Sequence, residues 1–152
     1  MKPCHQCLVI ALLLFGSSES FSRQLIDAEQ FDLADYRGRV VYLDFWASWC
    51  TPCRASFPFM AEMAESQGDA LAIVAVNVDE QRTDAEAFLN GYQVPFDVVF
   101  DPTGLLASRH QVPGMPTSYL FDRDGTLIGS HVGFRMKDRE SIRRWVTDAI
   151  AN

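Results

Sequence analysis

The chain has 152 residues, 48% of them hydrophobic and 22% charged, the length and balance of one domain with a buried core rather than of a disordered chain. Its formal net charge of −7 excludes nucleic acid as a partner, because phosphate binding needs clustered lysine and arginine. The acidity carries no information about the fold.

Residues 1–20 read differently from the rest. Lys2 gives a weakly positive start, Leu8 to Gly16 form a short apolar run, and Ser17-Ser18-Glu19-Ser20 follows. That order is expected of a secretory signal peptide, with removal after Ser20 (Ser18 is the alternative). The apolar run is roughly half the ~20 residues a membrane span needs. Cys4 and Cys7 lie in the segment expected to be removed, so the mature chain from Phe21 keeps only Cys50 and Cys53. A loop so small removes little entropy from the unfolded chain, and the pair is there for chemistry or for a metal.

Gln24 to Arg37 reads as an opening hairpin ending in a turn at Asp35-Tyr36-Arg37-Gly38. Val40 to Ala47 is almost continuously apolar, as in a strand buried on both faces. A helix is predicted from Thr51 to Gln67, with Phe57, Met60, Ala61 and Ala64 at helical spacing and Gly68 as its stop. Phe57, Phe59, Met60 and Met63 read as core, and Pro58 as a structural kink. Leu71 to Val78 is a second buried strand. Thr83-Asp84-Ala85-Glu86 has the form of a capping box opening a helix that ends near Gly91. Phe96 to Phe100 is a short strand, and Asp101-Pro102-Thr103-Gly104 turns into a short helix through His110. Ser118 to Phe121 and Thr126 to Val132 are strands joined at Asp124-Gly125, a hairpin signal. The last helix, Asp138 to Ala149, puts Ile142, Trp145, Val146, Ala149 and Ile150 on one face. His110 and His131 read as surface residues. The alternation predicts an α/β fold with a mixed central β-sheet flanked by helices.

Trp49-Cys50-Thr51-Pro52-Cys53 sits where a buried strand hands over to a helix. There, free backbone amides and the helix dipole stabilise a thiolate, lowering a cysteine pKa from about 8.5 into the range of roughly 3.5–7.5. The thiolate is the attacking species in disulfide exchange, and Cys53, one turn on, is placed to resolve the mixed disulfide. Pro52 falls in the first turn, where its missing amide costs nothing. Zinc usually takes four ligands, and beyond this pair the mature chain offers only His110 and His131 among cysteine and histidine ligands, so no metal or other cofactor is expected; a two-cysteine copper(I) site is the remaining metal reading.

Asp44-Phe45-Trp46-Ala47-Ser48-Trp49-Cys50-Thr51-Pro52-Cys53-Arg54 resembles the active-site segment of the thioredoxin family, and Gly114-Met115-Pro116-Thr117 resembles its cis-proline loop. The resemblance covers nearly all of the chain from about residue 25, so residues 21–152 are expected to form a thioredoxin-like domain. The helix and strand from roughly Gln81 to Phe100 resemble the insertion of the TlpA/ResA-like periplasmic branch, exported reductases often serving cytochrome c maturation.

The resemblance implies Cys50 as nucleophile, Cys53 as resolving cysteine and Asp44 as the buried acid that exchanges a proton with Cys53. It also implies Pro116 as the cis-proline, Met115 as the residue whose backbone pairs with a bound peptide, and Trp49 and Gly133 as lining of the substrate groove. One departure stands out. Where ResA-like proteins commonly carry a glutamate three residues after the second cysteine, this chain has Ser56, and Asp44 stands where many of them are neutral.

Thr51 and Pro52 supply no charge or imidazole to stabilise the Cys50 thiolate further, which favours a reductant over an oxidant. A periplasmic reductase of exported disulfide-bearing proteins is therefore expected, monomeric by default and fed by a membrane electron donor of the DsbD or CcdA type. Disulfide oxidase or isomerase, peroxidase, and a non-catalytic chaperone or metal-binding module are the rival readings.

Overall fold

The computed structural model describes residues 25–92 and 94–152; the expected signal peptide, with Cys4 and Cys7, lies outside them. Two strands of seven residues form the centre, β2 (Val40–Trp46) and β3 (Leu71–Asn77), and every residue of both is buried. That explains their unbroken apolar sequence. Beside them run β1 (Ile26–Asp27), β4 (Asp97–Phe100), β5 (Thr117–Phe121) and β6 (Leu127–Val132), in the sheet order β1-β4-β3-β2-β5-β6. The pairings from β1 to β2 are parallel, and those of β2 with β5 and β5 with β6 are antiparallel, which gives the mixed sheet the sequence predicts.

The helices are α1 (Thr51–Gln67), α2 (Arg82–Leu89), α3 (Leu105–Arg109) and α4 (Arg139–Ala151). The pleat of β2 divides the core between them. Val40, Tyr42 and Trp46 pack with Phe57 and Met60 of α1, Phe88 of α2, and Ile142 and Val146 of α4. Val41, Leu43 and Phe45 pack on the opposite face with Ala28 and Leu106. Gly68 ends α1 at a φ of +51°, a conformation that an L side chain adopts only with strain.

The opening hairpin does not form. Ile26 and Asp27 pair in parallel with Val99 and Phe100, and two 3-10 turns, Ala28–Gln30 and Leu33–Tyr36, follow. The Asp32 carboxylate accepts the Ala34 amide at 2.9 Å, a local bond that competes with strand pairing. The capping box is absent too. α2 starts at Arg82 behind Gln81, with no side-chain cap, and ends at Leu89. Arg82 is bound to the Asp27 carboxylate and to the Leu25 carbonyl, which draws it into the first turn and leaves Thr83 inside the helix.

Neither histidine is a free surface residue. His110 packs its ring 5.4 Å from those of Phe45 and Tyr119, with Nδ1 2.9 Å from the Leu106 carbonyl, because α3 lies against that face of the sheet. His131 pairs across from Ser118 on β6 and is half-buried, with Nε2 3.9 Å from Asp138 Oδ2 at the start of α4.

Candidate active site

The cysteines stand at the strand-to-helix junction. After β2 ends at Trp46, the Cys50 amide donates to the Ala47 carbonyl at 3.1 Å and closes a turn that makes Cys50 the N-cap of α1. Its sulfur takes the place of a capping oxygen, accepting the Cys53 amide at 3.3 Å. Cys50 and Cys53 are joined in a disulfide, with Cys50 4% exposed and Cys53 fully buried. On reduction, a Cys50 thiolate would meet that amide and the positive end of a 17-residue helix.

The loop ahead of Cys50 is held by a residue the sequence reading passed over. Asp79, just beyond β3 and 3% exposed, accepts the Ser48 amide at 3.0 Å and the Ser48 hydroxyl at 3.1 Å. Asn77 fixes that carboxylate in turn, donating to it at 2.8 Å and accepting the Asp79 amide at 3.0 Å. From the other side Arg54 donates to the Ser48 carbonyl at 3.0 Å. The signal was Asn77-Val78-Asp79, two polar residues closing an apolar strand. Ser56 is buried and spends its hydroxyl on the Cys53 carbonyl at 3.0 Å.

Asp44 follows Tyr42 on the α1-facing side of β2 and is 1% exposed. Burial pushes its carboxyl from 3.8 up to about 7, and the Ser118 hydroxyl, donating to Oδ1 at 2.6 Å, pulls the other way. Asp44 Oδ2 is buried with no hydrogen-bond partner among the described residues. Ser118 accepts the Tyr42 hydroxyl at 2.7 Å. Neither Tyr42 nor Ser118 was singled out from sequence, because the contact exists only once β5 pairs with β2 and sets Ser118 opposite Asp44.

The same pairing brings the proline loop to this end of the sheet. Thr117 lies opposite Phe45 on one side and Val132 on the other, so the residues just before β5 and just after β6 meet beside the end of β2. The Met115–Pro116 bond is cis. Thr117 donates its hydroxyl to the Gly114 carbonyl at 2.7 Å, and the Gly133 amide donates to the Pro116 carbonyl at 2.7 Å. Gly133 needs its φ of +80° to make that turn. Met115 packs against the core cluster that contains both cysteines. Trp49 is 70% exposed, and an open cleft of about 630 Å³ runs from it past Arg54 to Phe88 and Tyr92.

A sheet of this order, with a dithiol–disulfide pair heading its first long helix and a cis-proline just ahead of the neighbouring strand, defines the thioredoxin-fold thiol–disulfide oxidoreductases. Residues 18–130 match the AhpC/TSA family, and the chain belongs to it. Among curated proteins it is 35% identical over 120 residues to the thioredoxin-like protein YneN of Bacillus subtilis, covering 77% of this chain and 70% of that one. It is also 35% identical over 116 residues to the thiol-disulfide oxidoreductase ResA of the same organism, covering 74% and 64%. A crystal structure described as a thiol:disulfide interchange protein DsbE from Chlorobium tepidum superposes with a TM-score of 0.78 at 44% identity, over 83% of this chain and 91% of the other. The chain is accordingly a thiol–disulfide oxidoreductase with the fold that its strand–helix alternation and two motifs predict.

Proposed function

We propose that the protein is exported and reduces disulfides in exported proteins. The Cys50 thiolate attacks one sulfur of a substrate disulfide, forming a mixed disulfide and expelling one substrate thiolate. Asp44 takes the proton from Cys53, whose thiolate then attacks the Cys50 sulfur, closing the Cys50–Cys53 disulfide and expelling the second substrate thiolate. Two electrons pass to the substrate, and a membrane dithiol donor of the DsbD or CcdA type restores the pair. Trp49, Met115, Pro116 and Gly133 line the groove, with the Met115 backbone pairing with the substrate strand. The protein acts as a monomer, and apocytochromes undergoing cytochrome c maturation are one class of substrate with the right chemistry.

The observation that carries this reading is the Cys50 sulfur at the N-cap of α1, with its partner buried one turn on. Thr51 and Pro52 add no charge there. Export rests on the order of charge, apolar run and small residues over residues 1–20. No helix among the described residues is long and apolar enough to cross a membrane. The test is the reduction potential of the chain from Phe21, equilibrated against thiol buffers. A value below about −230 mV supports a reductase, one above about −160 mV makes it an oxidase or isomerase, and no reversible two-electron transition overturns the redox reading.

A further inference from the structure

We infer that Ser118, backed by Tyr42, is a positioning residue that fixes which oxygen of Asp44 carries the proton and sets the pH at which that proton leaves. This rests on the reading of Asp44 as the proton acceptor for Cys53.

The three side chains form one buried line across β2 and β5. Tyr42 donates to Ser118 at 2.7 Å and Ser118 donates to Asp44 Oδ1 at 2.6 Å. A hydroxyl has a single hydrogen, and Ser118 receives its other bond from Tyr42, so its proton is committed to Asp44. Burial raises the Tyr42 phenol well above its ordinary value, so it stays a donor throughout the working range. Oδ1 is thereby held as an acceptor in both charge states of the acid. The proton enters and leaves at Oδ2, the oxygen with no partner among the described residues.

The line also sets a pH. A hydrogen bond given to the ionised carboxylate favours that form, so Ser118 opposes the effect of burial. The groups facing Asp44 are Tyr42 on its own strand and Ser118 on β5; its β3 neighbour Ala75 carries no charge. His131, opposite Ser118 on β6, faces Asp138 rather than Asp44. Without Ser118 the acid would ionise later, and Cys53 would lose its base at neutral pH. A neighbouring apolar pair would fill the same space but leave both carboxylate oxygens unheld.

The test uses the oxidised chain from Phe21, whose two cysteines are joined and do not titrate, with 13C-labelled aspartate followed by NMR against pH. Stopped-flow measurement of mixed-disulfide resolution is made with the reduced protein and oxidised glutathione. Asp44→Asn assigns the signal and shows whether the rate profile depends on this group. Ser118→Ala is expected to move both the Asp44 titration and the acid limb of the rate profile upward by about one to two pH units, the worth of one bond to a charged acceptor. Tyr42→Phe moves them less in the same direction, and Ser118→Thr restores them. An Asp44 titration unmoved in both Ser118→Ala and Tyr42→Phe overturns the inference. If the titration moves but neither Ser118→Ala nor Asp44→Asn alters the rate profile, the reading of Asp44 as proton acceptor fails, and the inference with it.

Discussion

Replacing Asp44 by Asn should make the oxidised protein more stable at alkaline pH while leaving it little changed in acid. In the fold, burial lifts the Asp44 carboxyl from 3.8 to about 7, a displacement worth about 4 kcal/mol. The sign follows from proton counting. Above pH 4 the unfolded chain releases this proton while the folded chain keeps it, so the folded state binds more protons and loses stability as pH rises. The loss accumulates up to about pH 7, where the folded acid also ionises, and is constant beyond. Asparagine keeps the acceptor for Ser118 and carries no charge to desolvate. Guanidinium unfolding of wild type and Asp44→Asn at pH 4.5 and pH 8 measures the difference directly. Because the unfolded acid is already mostly ionised at pH 4.5, the variant should gain about 3 kcal/mol over wild type between the two pH values. An equal stability difference at both would refute the burial of an ionisable Asp44 without a compensating cation.

Cys50→Ser should abolish disulfide turnover, and Cys53→Ser should stop after the first exchange, leaving a mixed disulfide visible by intact mass without reductant; turnover persisting in Cys50→Ser would favour a binding module. Asp79→Ala strips the Ser48 amide and hydroxyl of their acceptor and should cost about 2–3 kcal/mol in denaturant unfolding, with slower attack by Cys50 on oxidised glutathione. Phe57→Ala removes a fully buried ring set against Trp46, Phe88 and Phe96 and should cost about 3–5 kcal/mol by the same measurement.

The elements that could be read from sequence are those whose signal is carried by their own residues. The buried strands β2 and β3 show as apolar runs because both faces are covered, and α1 is bounded by Thr51 and Gly68 as predicted. The opening segment could not be read, because Ile26 and Asp27 take their form from β4, some seventy residues away. The same reason hides most of the surroundings of Asp44 and Ser48. Tyr42, Ser118 and Asp79 look like stray polar residues until β5 and β3 pair with β2 and bring them against the residues they hold. The histidines misled in the other direction, as polar side chains whose rings are covered by elements folding over them.

Four rings, Trp46, Phe57, Phe88 and Phe96, meet at centroid separations of 4.7 to 5.8 Å. Two belong to β2 and α1 and two to the segment inserted between β3 and β5. That seam makes the insertion a wall of the common interior rather than an appendage. Excising residues 81–100 to recover a minimal thioredoxin would open the floor beneath the cysteine helix, and any shortened design would have to supply two replacement rings from elsewhere.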